Sequence, residues 1–220
     1  RNLSVESAGR VAKSMKLSGE QSDFFRALVA FELADGHEQK NAAFARIKAS
    51  QGFQRAGRIE GDLFEYLSSW YLPAIREMTA RTDFQNDVKW ISEQLFPAVS
   101  EKETERALEV LLRLGLVTER DGTLTRGEPA MTTGHEVNSL GIVNYHHQMI
   151  KLGAESIERT PREMRDVSAL TMCIRADQVA DLKRRIHEFR ESLIDAVDSP
   201  EDPDAVYQVN IQLFPINRVP

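Results

Sequence analysis

The run from Ser100 to Arg126 constrains the fold more than any other stretch of this 220-residue chain. Ser100-Glu101-Lys102-Glu103 has capping-box spacing, in which a serine and a glutamate three residues apart satisfy each other's backbone amides. The helix it opens carries Ala107, Leu108, Leu111 and Leu112 on one face, and Gly115 is placed to end it. Two short β-prone runs follow, Leu116–Arg120 and Thr123–Arg126, with Asp121-Gly122 between them. Both central residues of such a turn need positive φ, so Asp-Gly predicts a tight hairpin.

The residues before this run predict further helices. Ser18 and Gln21 form a second capping box, and Phe24, Phe25, Leu28, Val29 and Leu33 then recur at helical intervals. Asn41–Ile47 is expected to be helical and Gly52–Gly61 to be a connector. Asp62 is expected to open a helix carrying Tyr66, Trp70 and Tyr71, with a kink or restart at Pro73 because proline lacks an amide hydrogen. Asp83 is expected to cap a helix holding Val88, Trp90, Ile91 and Leu95, which Pro97 stops. Two helices, a capped third helix and a hairpin, in that order, are the pattern of a winged helix-turn-helix. Ser100–Gly115 with Leu116–Thr125 looks like the third helix and wing of a MarR-like winged domain.

The last third changes character. Thr133 and Glu136 have capping-box spacing at the head of a long helix ending near Arg159. Val167–Ile174 alternates like a strand, and Val179, Leu182, Ile186, Phe189 and Leu193 make a stripe on a long charged helix. Tyr207, Val209, Ile211 and Leu213 alternate with Gln208, Asn210 and Gln212, the period of a half-buried strand. Paired together, the two strands would be marginal alone, and the second offers an edge to another chain.

Charge decides how the winged element is read. The chain carries 28 basic and 34 acidic residues, net −6, so its surface as a whole is not a phosphate-binding field. The third helix sets Glu101, Glu103, Glu105 and Glu109 against Lys102, Arg106 and Arg113, net −1 where duplex DNA would have to approach. The first sixteen residues, by contrast, set Arg1, Arg10, Lys13 and Lys16 against Glu6, net +3. The candidate DNA-binding residues are therefore Arg1, Arg10, Lys13, Lys102, Arg106, Arg113, Arg120 and Arg126.

Catalytic and metal chemistry find little support. There is no nucleophile elbow and no phosphate-cradling glycine loop. Cys173 stands alone, which excludes an intrachain disulfide, and it is expected to be a small buried hydrophobe in its strand. His135 and His146 lie about 16 Å apart along a helix, too far to share a metal, and His146 and His147 point in different directions. No enzyme activity, cofactor or metal is expected.

Several segments together carry a family resemblance. Arg1-Asn2-Leu3-Ser4 is similar to the end of a λ-repressor-like helix-turn-helix. Asp23–Phe31, Trp70–Glu77, Leu112–Leu116, Thr132–Gly134, Arg165–Ser168 and Asn210–Pro215 resemble the Bdellovibrio–Fibrobacter paralogous family of uncharacterised bacterial proteins, while His37-Glu38-Gln39-Lys40 departs from its usual pattern. The resemblance implies a regulator-like protein whose N-terminal helix-turn-helix is mostly absent here. Consistent with that expectation, the chain opens without Met on a short helix, Val5–Lys13, that either follows missing sequence or packs on what comes next.

The expected fold is mainly α, with a winged helix-turn-helix core and a small C-terminal α+β region of strand, helix and strand. Its expected parts are residues 1–16, a helix-turn-helix remnant; 17–61, helical; 62–131, winged-helix-like; and 132–220, α+β. The expected function is the effector or dimerisation body of a cytoplasmic transcription regulator. Duplex DNA would be contacted mainly by the missing N-terminal domain, and the chain would form a homodimer. The alternative is a protein-interaction module that docks a protein partner on the acidic third helix without DNA. Direct reading of DNA by the winged element is a third option. No run is apolar enough to cross a membrane.

Overall fold

Side-chain acceptors decide where the helices begin. The computed structural model describes residues 3–49, 58–127, 135–197 and 201–218. Helix α1 (Val5–Ser14) starts at a Ser4–Ser7 box and α2 (Gly19–Leu33) at the expected Ser18–Gln21 box. Gly36, at φ +96°, precedes α3 (His37–Ala49). Helix α1 packs on α2, and α2 on α3. Ala27, Phe31, Ala43, Phe44 and Ile47 form a first apolar cluster with Leu140 from later in the chain.

The second core has its own helices. Helix α4 (Arg58–Ser68) begins before Asp62, so Arg58–Gly61 is helix and not connector. Asp62 therefore sits inside the helix and is buried, with no role as a cap. Helix α5 (Tyr71–Met78) restarts after a short break with Pro73 in its first turn, where helix amides need no intrahelical partner. Asp87, not Asp83, caps α6 (Val88–Gln94), accepting from the Trp90 amide at 2.7 Å. Asp83 instead accepts from Arg81, at 2.7 and 2.9 Å.

Helix α7 (Glu101–Arg113) carries the expected capping box, and Gly115 follows it at φ +67°. Strands β1 (Val117–Arg120) and β2 (Thr123–Arg126) pair antiparallel, with Arg120 opposite Thr123 and the turn residues Asp121 and Gly122 at φ +51° and +76°. Leu72, Ile75, Ile91, Val110 and Leu111 are fully buried between α5, α6 and α7, and Val117 and Leu124 extend that cluster into the hairpin. A Cβ at Gly127 would stand 2.0 Å from the Gly115 carbonyl, so the chain leaves the hairpin through a gap that only glycine fits.

Helix α8 (His135–Arg159) joins the two clusters by lying along α4 and touching α3. Gly141 allows that approach, since a Cβ there would be 2.8 Å from Leu67 Cβ. Thr133 lies outside the described residues, as does the capping box expected of it.

Past α8 the fold changes. A 3₁₀ turn (Arg162–Met164), an extended stretch, a second 3₁₀ turn (Ala176–Gln178), helix α9 (Val179–Ala196) and a final extended stretch follow one another. The expected strands at Val167–Ile174 and Tyr207–Leu213 are extended, yet among the described residues the only ladder is β1–β2. Their sequence sets the backbone conformation, but neither segment finds a neighbouring strand. The described fold is thus mainly helical with one two-stranded antiparallel sheet, and the expected C-terminal strand–helix–strand unit forms no sheet among the described residues. Cys173 is accordingly exposed and not buried. No described helix is long and apolar enough to cross a membrane.

Candidate functional site

The surface of α7 and the hairpin holds most of the residues singled out for nucleic-acid contact, and buried Asp62 organises it. Asp62 lies on the α4 face turned toward α7, its side chain only 4% exposed. Arg113 donates to it from Nε at 2.6 Å and from Nη2 at 3.0 Å, a two-point grip on the carboxylate. Arg106 donates to Asp62 at 3.2 Å and to both oxygens of Glu65 at 3.0 and 3.1 Å. Glu109, one turn along α7, also pairs with both arginines. The hydrogen bond to Glu65 raises the Arg106 pKa, and the bond to Asp62 raises that of Arg113.

Two of the three cations on α7 are therefore directed at its neighbour α4. A carboxylate as deeply buried as Asp62 requires such partners. What α7 presents to water is Glu101, Lys102, Glu103, Glu105, Glu109 and Leu112. Hydrogen bonds from Ser100 hold the Glu103 carboxyl below the usual glutamate range, so it stays ionised.

The other candidates are dispersed. Lys102 and Arg120 are exposed and join no ion pair among the described residues. Arg126 pairs with Glu77 at 3.0 Å, and Glu77 with Arg76 at 2.6 Å. Arg76 donates to the Gly127 carbonyl at 3.2 Å, so this chain of charges ties the hairpin to α5. Arg10 and Lys13 are exposed on α1, and Arg1 lies outside the described residues.

A polar seam that sequence reading missed runs between α3, α4 and α8. Asn41 and Asn144 exchange two hydrogen bonds at 2.9 Å. Gln148 donates to the Ser68 carbonyl and accepts from the Trp70 amide at 3.2 Å, closing the α4–α5 break. His37 and His147 face each other with ring centroids 5.0 Å apart. Asn and Gln on one helix face at positions 144 and 148, one turn apart, were the available signal, but their partners are about eighty or a hundred residues away. No group of three metal-ligating side chains comes together among the described residues.

Residues 50–216 match the model of a domain family of unknown function, DUF4423. The chain belongs to the DUF4423 family. The matched region contains α4 through α9, so the ion cluster, the hairpin and the C-terminal extended segments are all parts of one family domain. No curated protein and no solved structure matches the chain.

Proposed function

We propose that this DUF4423 chain is the effector and dimerisation body of a regulator resembling the Bdellovibrio–Fibrobacter family, with DNA contact made mainly by an upstream helix-turn-helix. The observation that carries the reading is the orientation of α7. Helices α5, α6 and α7 and the β1–β2 hairpin occur in winged-helix order, but the two arginines of the third helix bind Asp62 and Glu65. The solvated face is left with four glutamates and one lysine, which repels phosphate. A body of this kind acts by position: it sets the spacing of two DNA-binding heads, and an effector shifts that spacing by no more than its differential affinity for the two arrangements.

The same acidic face, with half-exposed Leu112 at its end, favours a second reading in which α7 docks a basic protein surface and no DNA is involved. A salt-titrated duplex-binding assay separates the two. The leading reading expects no retention by the 220-residue chain at near-physiological salt, and retention by the chain extended upstream in its native reading frame. If neither form binds at low salt, the docking reading stands. Lys102→Glu combined with Arg120→Glu tests direct reading by the winged element, because both side chains are exposed. Arg106 and Arg113 are unsuitable for that purpose, since reversing them would place a glutamate against Asp62.

A further inference from the structure

No described residue from Thr160 to Arg218 is fully buried, although this arm includes an 18-residue helix and lies, through residue 216, inside the family domain. Helix α9 has no buried residue, and its substantial contacts among the described elements are with the adjoining 3₁₀ turn alone. Its stripe is only half covered: Val179, Leu182, Ile186 and Leu193 are half-buried and Phe189 is 53% exposed, and most helical stability in proteins comes from packing such a face.

The second extended segment is held in an unusual sense. Asn210 donates to the Met149 carbonyl of α8 at 2.7 Å, and the Tyr145 hydroxyl donates to Gln208 at 3.3 Å. The polar face of the segment is therefore turned to the protein. On its apolar face Tyr207 is 69% and Val209 59% exposed, while Ile211 and Leu213 are each 38% exposed. Helix α8 adds a stripe of its own, Val143, Ile150 and Ile157, at seven-residue spacing and in water. Val167–Ile174 and Val206–Ile216 contain no charged residue, so they lack the Lys or Glu that usually blunts an open edge.

We propose that this arm is a reciprocal dimerisation element whose occupant is the arm of a second copy of the chain, the extended segments pairing as strands and the α9 stripes packing over them. This rests on the dimeric body proposed above and names the surface that builds it. Charge favours a second copy: α9 carries four acidic and four basic residues, net zero, and offers no field to a nucleic acid or an anionic membrane. Area agrees. At roughly 100 Å² per fully exposed apolar side chain, the large apolar residues from Val167 to Ile216 would bury up to about 800 Å² per chain if all were covered, enough for a standard interface. A two-fold contact also closes on itself, satisfying both copies with no edge left over.

The test is the mass of the intact chain by light scattering at about 10 μM, in the range where interfaces of this size hold. The expected mass is twice 24.9 kDa. Ile186→Asp with Phe189→Asp is expected to weaken the dimer at least ~100-fold, giving monomer. Lys102→Glu with Arg120→Glu is expected to leave the dimer intact, and circular dichroism checks that each variant folds. A monomeric parent chain, a species larger than a dimer, or a dimer unaffected by the folded arm variant would each overturn the proposal. A dimer that fails the DNA assay in its extended form would overturn the regulatory reading alone.

Discussion

Residues 62–127 and residues 160–218 are of similar length and share one family domain, yet they solve the burial problem in opposite ways. The first region closes on itself: α5, α6, α7 and the hairpin surround Leu72, Ile75, Ile91 and Leu111, and even its buried carboxylate has two guanidinium partners. The second region has an amphipathic helix and two alternating segments, all the material of a core, with none of its described residues fully buried. The difference teaches that a regular hydrophobic period specifies local conformation and a face, while burial depends on whether another element arrives to cover that face.

The largest effects are expected in the closed region. Leu111→Ala, at a fully buried position, is expected to cost about 2–5 kcal/mol, read as a lower denaturant midpoint for the cooperative unfolding of the core. A cost below about 1 kcal/mol would mean that this region is loosely packed after all. Asp62→Ala removes the one buried anion that Arg106 and Arg113 share and leaves them the more exposed Glu109 and, for Arg106, Glu65. Because both arginines are partly exposed, the expected loss is about 2 kcal/mol, below that of a fully buried pair. Restoring only Arg106→Met and Arg113→Met in that background should recover part of it.

Smaller effects sharpen the contrast. Ser100→Ala removes the α7 cap and should cost about 1 kcal/mol. The same cap has a pH signature. Because the folded-state pKa of Glu103 is lowered, its contribution is present above the ordinary glutamate pKa of about 4.3 and is lost as pH falls through the lowered value. Glu103→Gln should flatten that part of the acid limb. On the open side, Phe189→Ser in a dilute monomeric sample is expected to change stability by less than about 0.5 kcal/mol, the size of an ordinary surface substitution.

What the sequence made legible was local. The Ser100–Glu103 box, Gly115 and the Asp121-Gly122 turn each depend on residues within a few positions, and each is present as read. Asp83 was expected to cap the helix, but it pairs with Arg81 and Asp87 accepts from the Trp90 amide instead. Asp62 was expected to open the helix, and its buried role inside it was not legible because its partners, Arg106 and Arg113, lie 44 and 51 residues further on, beyond any local signal. The alternation in Tyr207–Leu213 predicted a half-buried strand, and the segment is instead unpaired among the described residues, with its apolar side chains exposed. Which face it would turn inward depended on Tyr145 and Met149 of α8, and the polar face was the one that found partners.

Amide hydrogen exchange at two protein concentrations tests the central contrast directly. Amides of α7 and the hairpin are expected to be equally protected in concentrated and dilute samples, because their core is internal to one chain. Amides of Val209 and Ile211, and of α9, are expected to be protected only where the dimer forms and to exchange freely on dilution. Protection of the arm equal to that of α7 in the dilute monomer, or no protection of it at any concentration, would contradict the account.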